Sequence, residues 1–272
     1  MKHKSIILIS TVILFVFATV LSFAWLIRIR YVETTVVAEL SQEDETYSEV
    51  NGLLENLYMG KSYFSVRVDD ITAKLKENPY LNVKSVKKVF PDRIKVEIER
   101  RKERFAIISA GEYYITDSEY YLLRKETDES KLDEGIIKIT LVNVDLKAES
   151  LVLGNKIGYA NDNLVGCMTS IFNGFEDGLN LVDGVEVLGV QNWIRFSTKT
   201  GVCIEFSFAP SSPSLTAEQV KAENDLLVSK AGEVEKYYNG LTEYKQNVGY
   251  ILVYTKATGE IKIEHVIEKT EV

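Results

Sequence analysis

The chain has 272 residues, 46% of them hydrophobic and 26% charged, the balance of a folded polypeptide with room for one to three domains. Its 40 acidic residues outnumber 32 Lys+Arg, a formal net charge of −8. That excess argues against nucleic acid as a partner, which needs a basic stripe.

Residues 1–5 are a short stub carrying Lys2 and Lys4. Residues 6–27 follow without a charge, and as a helix they would reach about 33 Å. A signal peptide is the other reading, but its apolar region runs to roughly 7–15 residues and Ser22-Phe23-Ala24 is a poor cleavage site. The expectation is therefore an uncleaved transmembrane helix over 6–27, with 1–5 as a cytoplasmic stub. Lys2 and Lys4 nearly balance Arg28 and Arg30. The amino terminus adds a charge inside, and the large C-terminal region favours lying outside.

Residues 31–107 form the next module. Residues 32–38 are β-branched and predict a strand. Residues 46–58 predict a helix with Val50, Leu53, Leu54 and Leu57 on one stripe, ended by Gly60. After a link, Asp69 is expected to cap a second helix, which carries Ile71 and Leu75 and stops at Asn78-Pro79. A strand over 81–89 and a Pro91-Asp92 turn come next. Ile94, Val96 and Ile98 then alternate with Lys95, Glu97 and Glu99, a strand with one apolar and one charged face. The apolar trio is expected to face the two helices. Residues 65–104 carry a net charge of +5 and residues 105–272 a net charge of −11. The basic excess is either a solvated strand face or a surface that touches anionic headgroups.

Residues 108–272 read as a mostly antiparallel β domain with packed helices. Residues 113–115 and 120–123 flank a hairpin turn, and 136–142 is a further strand. Residues 161–174 predict a helix with Leu164, Met168 and Ile171 at helical spacing. Strands are expected at 185–190, 193–198 and 202–208. After the break at 209–213, Thr216 to Gln219 is a capping box opening a long helix, 216–239. Its stripe of Ala217, Val220, Leu227, Ala231, Val234, Tyr238 and Leu241 fits a helix lying across a sheet, or a heptad seam for a partner helix. Two strands close the chain, 250–255 and 261–266. Cys167 and Cys203 permit one disulfide or two free thiols, and their number does not fix the compartment.

No catalytic motif emerges. Beyond the stub the only histidine is His265, placed in an alternating strand, and no nucleophile-elbow, zinc-protease or phosphate-loop pattern occurs. One histidine and two distant cysteines do not build a metal cluster. No cofactor is expected. The tyrosine pairs at 113–114, 120–121 and 237–238 fit sheet packing better than ligand binding.

One stretch carries a resemblance. Pro79, Tyr80, Val83, Val86, Lys87, Phe90, Pro91, Ile94, Val96, Ile98, Glu99, Arg100, Phe105 and Ala106 stand in an order that resembles the end of the extracytoplasmic POTRA domain of the bacterial division family FtsQ/DivIB. The resemblance implies an α+β protein: a transmembrane helix, a POTRA domain (β-α-α-β-β) over 31–107, then the β domain. One departure is Ala38-Glu39, where the family usually has a glycine after the first strand. It implies a single-pass, non-enzymatic scaffold of the division septum with its C-terminal region extracytoplasmic. Partners would be small coiled-coil membrane proteins of the FtsL and FtsB/DivIC type and the septal peptidoglycan synthesis machinery. A membrane-anchored wall enzyme and an extracytoplasmic sensor are the alternatives. The final strand, 261–266, is expected to be a sheet edge that takes a partner's strand. Ile261, Ile263 and His265 would lie on one face and Lys262, Glu264 and Val266 on the other, with Tyr250 and Tyr254 beside them.

Overall fold

The structure, a computed structural model, describes residues 2–37, 40–160, 162–208, 216–256 and 258–267. Within helices, the side chains at 2–9, 21, 23–25, 40–44, 162, 179 and 217 fall outside that description. The chain divides into two compact units, Met1–Arg101 and Lys102–Val272.

The first unit holds α1 (Lys2–Leu26), β1 (Tyr31–Val37), α2 (Leu40–Tyr58), α3 (Val68–Leu75), β2 (Leu81–Val89) and β3 (Arg93–Arg100). Its sheet runs β1-β3-β2, with β1 parallel to β3 and β2 antiparallel to it. The period-two pattern does what it predicts. Ile94, Val96 and Ile98 are buried with Val50 and Leu54 of α2 and Ile71 and Leu75 of α3, while Lys95 and Glu97 face solvent. Two details differ. Asp69 is not the cap of α3: Arg67 holds that position, no side chain bonds there, and Asp69 and Asp70 sit in the first turn, where their charge interacts favourably with the positive end of the helix dipole. α2 starts at Leu40 rather than 46, because Thr46 is buried in mid-helix and accepts a bond from Arg100 Nη1 at 3.1 Å. Ala38 and Glu39 lie outside the described residues.

The expected spanning segment, 6–27, corresponds to the backbone of α1. Among the described residues, no helix is long and apolar enough to cross a membrane; the continuous run of described side chains in α1 covers only 10–20. Within that run Val12, Ile13, Leu14, Phe15, Val16 and Phe17 are all exposed.

The second unit holds β4 (Phe105–Ser109), β5 (Glu112–Thr116), β6 (Leu122–Glu126), β7 (Ile137–Val142), α4 (Asp162–Gly174), α5 (Gly178–Leu181), β8 (Val182–Leu188), β9 (Trp193–Thr198) and β10 (Cys203–Ser207). Then come α6 (Ala217–Val228), α7 (Ala231–Asn239), α8 (Glu243–Asn247), β11 (Tyr250–Thr255) and β12 (Ile261–Val266). One sheet takes all nine strands in the order β12-β11-β10-β9-β8-β7-β4-β5-β6. It is mostly antiparallel. The parallel pairs are β4 with β7, β7 with β8, and β10 with β11. A parallel pair needs a crossover. α4 and α5 supply it between β7 and β8, and α6 to α8 between β10 and β11. These helices bring Leu164, Met168, Ile171, Leu227, Ala231, Val234 and Tyr238 into one core with Phe196 and Phe206 of the sheet. From Leu227 to Leu241 the stripe is therefore a helix-on-sheet face, not a heptad seam.

Two corrections follow. The helix expected over 216–239 is two helices, broken where Lys230 N–H bonds Leu227 O at 3.1 Å and tightens the turn. The first unit ends at Arg101, not 107, because Phe105–Ser109 pairs with β5 and β7 in the second sheet. Of the two readings open for the cysteines, the structure has the second: Cys167 and Cys203 are both free, and burial pushes the Cys167 thiol up to about 11.

Candidate functional site

A nine-stranded open sheet has two ends, and they differ. At β6 the backbone is partly occupied: Leu122 N–H donates to Asn155 O at 2.9 Å and Gly154 N–H to Leu122 O at 2.7 Å. At the other end stands β12, with no further strand beyond it among the described residues.

The outward groups of β12 follow from its pairing. β11 and β12 are antiparallel, with Tyr250 opposite Val266, Leu252 opposite Glu264, Val253 opposite Ile263 and Tyr254 opposite Lys262. Lys256 N–H donates to Glu260 O at 2.8 Å, which makes that pair a bonded one. Bonded and non-bonded pairs alternate along an antiparallel ladder. Lys262, Glu264 and Val266 therefore turn their backbone groups toward β11, and Ile261, Ile263 and His265 turn theirs outward. The contact at His265 agrees: its N–H donates away from the sheet, to the Tyr237 hydroxyl at 3.2 Å.

The side chains divide as their alternation requires. Ile261 and Ile263 pack, half-buried, against the core beneath the helices. His265 points the same way and its Nε2 lies 2.8 Å from Val248 O. On the opposite face Tyr254 donates its hydroxyl proton to Glu264 Oε1 at 2.7 Å, and Lys262 pairs with Glu264 Oε2. The Lys262 hydrogen bond, seconded by that of Tyr254, holds the Glu264 carboxyl below its ordinary range. Glu264 in turn raises Lys262. Tyr250 lies on the same face under the Arg195 guanidinium, 5.8 Å from the ring centroid.

Arg195 is the centre of a charged row that sequence reading missed. It sits opposite Glu186 on β8 and Glu205 on β10. Its Nη1 is 2.8 Å from Glu186 Oε2, and its Nε and Nη2 are 3.2 and 3.0 Å from Glu205 Oε2. Glu205 is 1% exposed. Tyr237 is the other residue missed. Its place in a tyrosine pair pointed to packing, and only the register of β12 shows that its hydroxyl meets the sheet edge. The remaining tyrosines pack as expected: Tyr120 stacks on Phe105 at 5.1 Å, and the Tyr238 hydroxyl bonds Thr200 at 2.9 Å. Among the described residues, no three His, Cys, Asp or Glu side chains gather to hold a metal.

Residues 41–101 match the family model of the FtsQ-type POTRA domain. The match supports an FtsQ/DivIB-like family assignment and points to a cell-division scaffold. No curated protein matches the chain.

Proposed function

We propose that this chain, with its FtsQ-type POTRA domain, is a single-pass scaffold of the division septum. It binds small coiled-coil membrane proteins of the FtsL and FtsB/DivIC type through β12 and helps recruit and regulate septal peptidoglycan synthesis. The observation that carries the binding mode is the open edge: backbone groups of Ile261, Ile263 and His265 face outward along a strand at the end of a nine-stranded sheet. A partner strand added there gains main-chain bonds, and Lys262, Glu264 and Tyr254 on one face supply selection. Supporting an anchor, the exposed run Val12–Phe17 spans more than one and a half turns, so α1 is apolar on every side over that run. A helix apolar all round belongs in a core or a bilayer.

Proline substitution tests the edge, because it removes one backbone donor. Lys262→Pro deletes a ladder bond to β11 and is expected to damage the sheet. Ile263→Pro removes an outward donor and is expected to leave a folded chain that no longer captures the co-expressed partners from detergent extracts. Capture by Ile263→Pro equal to the parent's would refute the edge. In cells, depletion of the chain is expected to give long unseptated filaments.

A further inference from the structure

The residues leaving α1 are bonded directly to a second loop. Tyr63 N–H donates to Ile27 O, Gly60 N–H to Ile29 O, and Ile29 N–H to Lys61 O, each at 2.9 Å. The Arg28 guanidinium reaches Gly60 O at 3.0 Å. Arg30 N–H donates to Asp92 O at 2.8 Å, which brings in the turn between β2 and β3. Three segments, 26–31, 59–64 and 89–92, thus form one end of the first unit, at the exit of the proposed anchor.

That end carries large apolar side chains that the core does not use. Phe90 is 64% exposed, Phe64 56%, Tyr31 54% and Met59 47%. The rings are held in place. Tyr63 stands edge-on to Phe64 at 5.4 Å and to Phe90 at 5.8 Å, and Lys88 fixes Tyr63 by lying 4.4 Å above its ring while bonding Tyr63 O and Val66 O at 2.6 Å. In the same segments Arg28, Arg30 and Lys61 are exposed. Asp92 is the acid among these segments, and it turns its carbonyl oxygen to Arg30.

Exposed aromatic side chains and cations on the same segments at the end of a membrane helix suit the headgroup layer, where rings meet the acyl boundary and basic residues meet lipid phosphates. We propose that Tyr31, Met59, Phe64 and Phe90, with Arg28, Arg30 and Lys61, form a surface that seats the first unit in the interfacial layer of an anionic bilayer. The inference rests on α1 being the anchor. The surface fixes how closely the unit approaches the membrane, and this is a different contact from the spanning helix itself.

The test uses the full chain in vesicles, with Trp25 and Trp193 replaced by Phe. Single tryptophans are introduced at Phe64, at Phe90, at Val16 within α1, and at Lys84 on β2. Vesicles of phosphatidylcholine alone and with phosphatidylglycerol carry lipids brominated near the headgroup or deep in the chains. Phe64→Trp and Phe90→Trp are expected to be blue-shifted and quenched at least twofold by the shallow bromines, more so with phosphatidylglycerol. Lys84→Trp should stay unquenched. Charge reversal at Arg28, Arg30 and Lys61 should abolish the dependence on phosphatidylglycerol. If Val16→Trp is quenched by deep bromines while the Phe64 and Phe90 probes stay water-exposed, the anchor stands and the surface proposal is overturned. If Val16→Trp is not quenched either, the anchor reading fails and the proposal falls with it.

Discussion

The charged row across β8, β9 and β10 gives a sharp test of how the second unit is held together. Arg195 makes two bonds to Glu205, whose side chain is 1% exposed, and one to Glu186, which is 42% exposed. Removing the cation while keeping its apolar bulk, as Arg195→Met does, takes both guanidinium bonds from a carboxylate held away from water. Breaking a buried pair on one side costs about 3–5 kcal/mol. Glu186→Ala removes only a solvent-screened partner and should cost about 1 kcal/mol or less. The pair itself is a different matter, since replacing both partners by well-packed apolar groups is often neutral. Arg195→Met with Glu205→Met should therefore recover most of the loss seen in Arg195→Met alone. Urea unfolding of the detergent-solubilised chain, read by Trp193 fluorescence with Trp25 replaced by Phe, measures each variant. Trp193 lies two residues from Arg195 on the same strand, so it reports this region. A double variant as unstable as the single one would refute the reasoning, because the loss would then come from shape rather than from charge.

Two further predictions concern the first unit. Val96→Ala, at a position 2% exposed, should cost about 1–3 kcal/mol, while Lys95→Ala should cost about 1 kcal/mol or less; hydrogen exchange of the peptide covering 93–100 distinguishes them, and equal effects would refute the register of β3. Glu33 is held below its ordinary value of 4.5 by the Lys95 hydrogen bond, with Arg93 adding to it, and Glu99 by the hydrogen bonds of Lys84 and Asn82. A depressed folded pKa gives stability that is present above the unfolded value and lost as pH falls through the folded one. Protection of 93–100 should therefore hold from pH 7 to about 5, fall below about 4.5, and fall less in a Lys84→Ala, Lys95→Ala variant.

The first unit was legible because its strands are one-sided. Ile94, Val96 and Ile98 against Lys95, Glu97 and Glu99 leave one workable register, and the last two strands were marked by the same alternation and a glycine-bearing turn. The nine-strand order was not legible. β4 pairs with β7 across an intervening hairpin, and periodicity within a strand says nothing about its neighbour. The break at 229–230 was hidden for a related reason. Leu227, Ala231, Val234 and Tyr238 keep helical spacing through it, so the buried stripe continues although the backbone bonding changes. Glu205 looked like any outward residue of an alternating strand. Its place opposite Arg195 is a fact of register and not of composition.

The edge at β12 is shaped by what it already holds. Its inner face is committed, since Ile261 and Ile263 pack on the core and His265 is fixed to Val248 O. A shift of one residue along β11 would turn both isoleucines to the opposite face, so the register that sets the outward groups is pinned by the core itself. At one end of the strand the outward donor of His265 is taken by the Tyr237 hydroxyl. A partner strand that extends as far as His265 must displace that hydroxyl, whereas one ending at Ile263 need not. Tyr237 thus divides the edge into a ready part at Ile261 and Ile263 and a guarded part at His265. Within the proposed binding mode, Tyr237→Phe separates the two cases. A partner that pairs only with the ready part should bind Tyr237→Phe as it binds the parent, and one that pairs through His265 should bind the variant more tightly. Weaker capture by Tyr237→Phe, with the fold intact, would mean that the hydroxyl itself meets the partner and that the pairing drawn from the register is wrong.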